Sequence, residues 1–296
     1  MPTRCSIRTR SLATGALIAL ASALSACALP PSPTATLPTT TAKPTTTAPA
    51  PAPTGAASWP GPRNTGVPAG TVLKASGTIT VTTTGAVVDG LDITGCVYVR
   101  ANNVTIRRTR VTSTGCTDTV QNHASNLVLE DVEINGSNRD DHCLVWGSYA
   151  ARRVNMHHCS DGAYLLSNTT IESTYIHDLW VHTGSHNDAV QLCGEAGSTQ
   201  RNINLRGNNF DVTSPGVTSA IMLGDEFGPS DGVTIDRNRL NGGGFTFYGG
   251  AGKIANLVVT NNTFGQTHDF GTHAYVASNT TWSGNVMEGT GALLGK

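Results

Sequence analysis

Short segments of alternating apolar and polar residues recur along the chain, and each opens with a turn-forming residue. They are Asn103–Ile106, Asn126–Leu129, Asn202–Leu205, Gly232–Ile235, Asn256–Val259 and Asn279–Trp282. Where the chain is least interrupted, successive segments start 23, 24 and 23 residues apart. This period is too short for a strand and a crossover helix, and it is typical of short strands that stack coil on coil. We therefore predict an all-β fold, a single-stranded parallel β-helix (solenoid) of roughly nine coils.

A column of asparagines supports this prediction. Asn208, Asn238, Asn262 and Asn285 each lie two residues before the apolar residue that ends a segment. One shared offset in successive coils favours an asparagine ladder, in which side-chain amides hydrogen-bond along the stack, over independent turn residues.

The next strand of each coil, aligned by its apolar alternation, predicts a column of aspartates in four consecutive coils but not in the next three. The aligned residues are Asp118, Asp141, Asp161, Asp188, Ser219, Gly243 and Thr272. Unit charges about 5 Å apart repel by about 3 kcal/mol at an effective dielectric constant of about 20, so the column needs compensation. Bound Ca²⁺, a nearby Arg or His, backbone N–H groups or a protonated carboxyl would provide it. Each Asp also suits a purely structural turn cap.

The stretch from about residue 71 to residue 293 resembles the right-handed parallel β-helix proteins of the pectate-lyase-like superfamily. The resemblance lies in the repeat pattern and the asparagine column, not in a catalytic signature. It implies a right-handed solenoid, and it implies a polysaccharide as substrate or ligand.

Composition narrows the choice of partners. Lys and Arg number 19 against 20 Asp and Glu, so no basic surface is available for the phosphates of a nucleic acid, and we expect none to bind. The abundance of Gly, Thr and Asn fits an extracellular β-protein, which we expect to be a monomer.

The N-terminus carries the features of an export signal. Basic residues precede an apolar stretch, Leu12–Leu24, and Leu24–Cys27 resembles a bacterial lipobox. We predict a lipoprotein signal peptide at 1–26, lipidated Cys27 with a Pro/Thr/Ala-rich linker at 27–58, and the β-helix domain at 59–296. The protein would then be anchored by lipid to the outer face of the bacterial cytoplasmic membrane or cell surface. An ordinary cleaved signal peptide is the alternative.

Five cysteines follow the linker, an odd number that predicts at least one free thiol: Cys96, Cys116, Cys143, Cys159 and Cys193. Cys96 and Cys116 lie about one coil apart, so a disulfide between them is plausible. The pairing of the other three stays open.

Titratable residues concentrate beside the aspartate column. Seven of the nine histidines lie in the stretch of sequence that the column spans, from Asp118 to Asp188. They are His123, His142, His157, His158, His177, His182 and His186. We predict catalytic roles for Asp141, Asp161, Asp188, His142 and His186. Calcium, if bound, would be held by Asp118, Asp141 and Asp161.

Substrate-binding side chains are predicted from the same strands and from the loops between them. Three residues after the column, on the outward face, lie Gln121, Leu144, Tyr164 and Gln191. We predict that Tyr164, Gln191, Arg139 and Trp180 bind substrate, with Trp180 stacking on a sugar ring. Trp180 equally suits a hydrophobic plug beneath its loop.

Three functions compete. The first is a polysaccharide lyase that cleaves a uronate-containing polymer by β-elimination, with calcium neutralising the substrate carboxylate and His142 or His186 as base. Tyr164 or Arg139 would assist. A lysine base is not expected, because every lysine lies outside the column: Lys43, Lys74, Lys253 and Lys296.

The second is a glycoside hydrolase that uses paired aspartates, since the spacing of neighbouring coils approaches that of retaining carboxyl pairs. The motif set of the β-helical polygalacturonases does not occur in its expected order. The third is a non-catalytic protein of the cell envelope that binds glycans.

Overall fold

The computed structural model describes residues 58–192, 198–224 and 229–296. Its strands form three parallel sheets, which we call A, B and C, and the chain visits them in that order in every coil. Each strand pairs with its counterparts in the preceding and following coils. The predicted all-β, parallel β-helix fold is therefore confirmed.

Each sheet is a stack of short strands. Sheet A contains Lys74–Ser76, Leu91–Thr94, Arg110–Thr112, Glu133–Asn135, Asn155–His157, Tyr175–His177, Asn209–Val212, Arg239–Gly242, Thr263–Phe264 and Val286–Met287. Sheet B contains Ile79–Val81, Val97–Val99, Asp118–Asn122, His142–Val145, Asp161–Leu165, Asp188–Leu192, Ser219–Met222, Phe245–Tyr248 and Gly271–Ala274. Sheet C contains Val87–Asp89, Thr105–Arg107, Leu127–Glu130, Tyr149–Arg152, Thr169–Glu172, Gln200–Arg206, Ser230–Asp236, Ile254–Thr260 and Thr281–Ser283. One short 3-10 helix, Gly250–Gly252, lies between sheets B and C.

The repeated segments of the sequence all belong to sheet C, which explains their common pattern. Their opening residue turns the chain through the left-handed region, with φ of 59° at Asn103, 60° at Asn126 and 52° at Asn256. Asparagine and glycine tolerate this conformation better than other residues, so they recur at the start of the segment.

The asparagine ladder is present as predicted, and it lies at the corner that precedes sheet A. Asn208 Nδ2 donates to Asn238 Oδ1, Asn238 Nδ2 to Asn262 Oδ1, and Asn262 Nδ2 to Asn285 Oδ1, each at 2.9 Å. Each Nδ2 group of the four also donates to a backbone carbonyl. All four side chains are fully buried, and the hydrogen bonds satisfy their amides.

Among the described residues, two disulfides join neighbouring coils, Cys96–Cys116 and Cys143–Cys159. The first is the predicted pair, and the second settles a choice that the sequence left open. Cys193 lies outside the described residues, as do Cys27, the predicted signal peptide and the linker up to residue 57. In the part of the chain that is described, no helix has the length and apolar character needed to cross a membrane.

The residues ahead of the first coil run across the outside of sheet A. The backbone N–H of Gly66 donates to the carbonyl of Arg153 at 2.8 Å, and Asn209 Nδ2 donates to the carbonyl of Pro60 at 2.9 Å. The chain then reaches Lys74, where the first strand pairs with the strand beginning at Leu91. The segment 58–73 therefore runs back along the stack before the first coil begins.

Candidate functional site

Strand register brings five polar side chains into one column on sheet B, and we call this column the sheet B ladder. It consists of Asp118, His142, Asp161, Asp188 and Ser219, one from each of five consecutive coils. Asp118, Asp161, Asp188 and Ser219 stand where the sequence alignment placed them.

Three other positions of the alignment were wrong. His142 occupies the place predicted for Asp141, because Asp118 and Asp161 both pair with His142. In the later coils, the column position that the alignment gave to Gly243 is occupied by Phe245, and the one that it gave to Thr272 is occupied by Gly271. A slip of one residue moves a side chain out of the column, so Asp141 does not join the ladder. Its backbone N–H donates to Thr117 and its carbonyl accepts the N–H of Asp161.

The local structure of sheet B explains why the ladder faces outward. In its strands two consecutive residues belong to the hydrophobic core, as Cys143 and Leu144 do in one coil and Ala189 and Val190 do in another. The residues before and after such a pair must therefore point away from the core. The ladder precedes the pair, and a second exterior column follows it.

His142 lies between two carboxylates. Its Nδ1 is 2.5 Å from Asp118 Oδ1, and its Nε2 is 3.4 Å from Asp161 Oδ2. Burial alone would lower the pKa of this imidazole, but the hydrogen bonds and charges of Asp118 and Asp161 outweigh burial and raise the pKa to about 9. His142 is therefore an imidazolium at neutral pH, and it supplies the positive charge that the aspartate column requires.

Asp188 lies behind Asp161 in a different environment. Burial and the negative charge of Asp161 raise the pKa of Asp188 well above its ordinary range, although hydrogen bonds from Ser219 act in the opposite direction. The Ser219 hydroxyl donates to Asp188 Oδ1 at 2.5 Å, and the Asp188 backbone N–H donates to Asp161 Oδ1 at 2.8 Å. Asp188 thus keeps its proton at a pH where an ordinary carboxyl would lose it.

The solvent exposure of the ladder residues decreases along the stack from His142 to Ser219. The side chain of His142 is 15% exposed, whereas residue exposure is 6% at Asp161, 1% at Asp188 and zero at Ser219. The end of the ladder at Asp118 and His142 is thus the more open one.

The second exterior column lies beside the ladder, and we call it the outer row. Its residues are Tyr98, Gln121, Val145, Tyr164, Gln191, Met222 and Tyr248. The predicted members Gln121, Tyr164 and Gln191 are confirmed in this position. The prediction that Leu144 lies in this row was wrong. Leu144 lies in the core, and Val145 occupies the position in the row because of the same one-residue slip.

Tyr164 and its surroundings link the row to the ladder. The Tyr164 ring centroid is 4.2 Å from that of His142 and 6.1 Å from that of Trp146, which it meets edge to face. Trp146 was not predicted as a site residue. Its backbone is left-handed, with φ of 68°, and its indole Nε1 has no hydrogen-bond partner among the described residues. Its contact with Tyr164 places Trp146 next to the ladder.

Three predicted residues lie in the loops next to sheet B. Trp180 and His186 belong to the segment between the sheet A strand Tyr175–His177 and the sheet B strand Asp188–Leu192. The Trp180 ring packs against His182 with centroids 4.4 Å apart, and His186 is exposed. Arg139 is also exposed, and within the described ranges it forms no ion pair. Their roles stay predictions.

The histidines do not form one cluster. Only His142 belongs to the ladder, whereas His157, His158 and His177 form a group outside sheet A. His157 Nδ1 lies 2.5 Å from His158 Nδ1, and its ring stacks on His177 at 5.1 Å. Among the described residues, no three His, Cys, Asp or Glu side chains converge on a point suited to a metal ion. Calcium at Asp118, Asp141 and Asp161 therefore stays a prediction, and Asp141 lies outside the column of the other two.

Comparisons with known proteins were made for the whole chain. No protein-family model matches it, and no curated protein matches it. Among solved structures, it is similar to the tailspike protein of the Escherichia coli bacteriophage HK620 in complex with a pentasaccharide, at 13% identity and a TM-score of 0.36. A mutant of that tailspike, also with pentasaccharide, gives 13% identity and a TM-score of 0.39.

Each match covers 74% of this chain and 45% of the tailspike chain. The chain thus spans less than half the length of the tailspike that it matches. At these scores the likeness carries no conclusion about the function of this chain.

Proposed function

We propose that the protein is a glycoside hydrolase that cleaves an extracellular polysaccharide. One observation carries the proposal: Asp161 and Asp188 lie on neighbouring strands but have different environments. Asp161 faces the His142 imidazolium at 3.4 Å, whereas burial and the charge of Asp161 raise the pKa of Asp188. A carboxyl that keeps its proton beside a second carboxyl is the arrangement that acid catalysis of glycoside cleavage requires.

The mechanism follows from these positions. Asp188 is the acid and gives its proton to the glycosidic oxygen as the bond to the anomeric carbon breaks. Neighbouring strands lie about 4.8 Å apart, close to the 5–5.5 Å separation of carboxyls in retaining glycosidases. Asp161 is therefore the nucleophile, and its carboxylate forms the bond to the anomeric carbon. Water then breaks this ester bond and gives a proton to Asp188, which restores the acid.

His142 and Asp118 position the nucleophile. His142 holds Asp161 through its Nε2, and Asp118 holds His142 through its Nδ1. The imidazolium offsets the charge that would otherwise accumulate where three carboxyls share one column.

The same geometry makes elimination the weaker proposal. A lyase needs an unprotonated base for the α-proton, but the pKa of His142, raised to about 9, keeps that residue protonated at neutral pH. His142 was one of the two predicted bases, and the other, His186, is exposed in a loop.

The cell surface is the proposed site of action. Two disulfides among the described residues fit an oxidising compartment outside the cytoplasm. Lipidation at Cys27 would hold the domain there, next to the cell-wall and capsular polysaccharides of the outer surface. Labelling with a radioactive fatty acid, compared between the wild-type chain and Cys27→Ala, tests the anchor.

The experiment that tests the function is a product assay. The full chain is incubated with polygalacturonate, alginate, hyaluronan and xylan, and both new reducing ends and the ultraviolet absorbance of unsaturated uronates are recorded. Hydrolysis gives reducing ends without absorbance, and proton NMR of the first product shows a retained anomeric configuration. Equal growth of absorbance and reducing ends would show a lyase instead.

A second candidate is a glycan-binding protein without catalysis, and burial of the ladder favours it. Asp188 is only 1% exposed, which suits a structural carboxyl as well as an acid at the base of a narrow site. If polymers bind but neither kind of product forms, and Asp188→Asn binds them as strongly as the wild type, the second candidate is correct.

A further inference from the structure

The sheet B ladder changes its chemistry at the coil after Ser219. The next residue in register is Phe245, and Gly271 follows it. In the same coil the outer row carries Tyr248, which follows Gln191 and Met222. Both exterior columns of sheet B therefore carry an aromatic ring at this level of the stack.

Four rings make up this aromatic platform: Phe245, Tyr248, Phe270 and Tyr275. Phe245 meets Tyr248 edge to face at 5.6 Å and Phe270 at 5.7 Å, and Tyr248 stacks on Tyr275 at 6.0 Å and 25°. Phe270 is 73% exposed and Tyr275 is 66% exposed. Side chains of this size rarely stay so exposed beside one another unless the surface binds something.

Glycines beneath the platform give its rings room to lie close to the sheet. A Cβ at Gly271 would come within 3.2 Å of the Phe245 ring, and a Cβ at Gly244 would come within 3.1 Å of the Phe270 ring. Each of these two rings therefore packs directly against a glycine backbone.

The backbone of Tyr275 is held in an unfavourable conformation, with φ of 57°. A left-handed conformation is unfavourable for such a residue, so the rest of the fold must maintain it. Trp146 occupies the corresponding position, one residue after the outer row, in a coil before Asp161, and its φ is 68°. Left-handed aromatic residues thus stand at both ends of the stretch of sheet B that contains Asp161 and Asp188.

The platform is continuous with the candidate active site. The outer row connects Gln191, beside Asp188, to Met222 and Tyr248 in the next two coils. Two coils correspond to about 10 Å, a distance that a short oligosaccharide spans.

We propose that the aromatic platform is a distal binding subsite that stacks on the apolar faces of sugar rings in the polysaccharide held at Asp161 and Asp188. The inference rests on the proposed function and deepens it, because it gives the polymer a direction along sheet B toward the C-terminal end. The occupant is a stretch of sugar rings of the polysaccharide, since the platform offers ring faces and phenol hydroxyls on which the apolar faces of sugars stack.

Affinity electrophoresis tests the proposal in a chain that carries Asp188→Asn, so that cleavage does not enter the measurement. The gels contain polygalacturonate, alginate, hyaluronan or xylan. We expect at least one polymer to retard the chain, and Tyr275→Ala combined with Phe270→Ala to weaken that binding roughly tenfold. Val72→Ala is the matched control, because Val72 is 92% exposed but lies outside the platform.

The outcomes separate this inference from the proposed function. Loss of binding on platform substitution supports the subsite even if the wild-type chain cleaves nothing. The inference is overturned if no polymer retards the chain, or if the platform variant binds as strongly as its parent. It is also overturned if sedimentation shows a dimer that the platform substitutions dissociate, since a second copy would then be the occupant.

Discussion

Two ladders of polar side chains run through this solenoid, and they have opposite energetic characters. In the asparagine ladder each amide donates to the next at 2.9 Å, and no charge is buried. The sheet B ladder buries three carboxyls, Asp118, Asp161 and Asp188, beside an imidazolium at His142. The first ladder is uniform from coil to coil, whereas the second contains a different residue or protonation state at almost every step.

The difference indicates that a repeating fold can use one column of side chains for stability and keep another for charged groups. A neutral amide column satisfies its own hydrogen bonds, so repeating it stabilises the stack. A column of like charges repels, and it persists only where each coil brings a different compensation. We therefore expect the irregular positions of a ladder, rather than the uniform ones, to carry chemistry.

The largest effect is expected on catalysis. Asp161→Asn removes the nucleophile and Asp188→Asn removes the acid, so each should lower kcat at least about a thousandfold. Initial rates of reducing-end release on the polymer that the wild type cleaves measure this loss. Asp236→Asn is the control, because Asp236 is also buried but lies on sheet C. Full activity in either ladder variant would refute the proposed roles.

The asparagine ladder should respond in stability rather than in activity. Asn238→Ala leaves its partners at Asn208, Leu205 and Asn262 without their hydrogen bonds, and we expect unfolding free energy to fall by about 3 kcal/mol. Urea denaturation measures the change, and kcat should stay within twofold of the wild type. Asn204→Ala, at a partly exposed position of sheet C, provides the comparison and should cost well under 1 kcal/mol.

The charged ladder should make stability depend on pH in a defined direction. The pKa of His142 rises from 6.5 to about 9 on folding, so its contribution is complete below pH 6.5 and is lost as pH rises through about 9. At about 1.4 kcal/mol per pKa unit, the loss is about 3 kcal/mol. Urea denaturation at several pH values measures it, and His142→Gln should flatten the profile. A wild-type profile that is already flat over this range would contradict the assignment.

The smallest effect is expected at Asp141, and it tests the register. Asp141 lies outside the ladder, so Asp141→Asn should change kcat less than about threefold, whereas His142→Gln one residue later should lower it at least about a hundredfold. The same rate assay applies to both variants. A large loss at Asp141 with little change at His142 would support the sequence alignment over the observed register.

The fold was predictable because its signals are local and repeat. The turn asparagines that open sheet C strands and the buried column from Asn208 to Asn285 both follow from backbone and hydrogen-bond requirements that recur in every coil. These features fixed the period without reference to any distant contact.

The site was only partly predictable, because sheet B breaks the alternation on which the alignment depended. Two consecutive core residues, Cys143 and Leu144, shift the count by one, and Asp140, Asp141 and His142 all suit an exterior column. Trp146 was missed because its position depends on a left-handed backbone that no sequence period reports. The protonation of Asp188 depends on burial in three dimensions, which the sequence does not contain.

The segment that crosses sheet A has a mechanical consequence. Hydrogen bonds from Asn209 to Pro60 and from Gly66 to Arg153 attach it to the flank of the stack, well beyond the first coil. A load on the chain ahead of Ser58 is therefore borne first by these few bonds, which peel one after another. The first strand, at Lys74, would feel the force only after these bonds have opened.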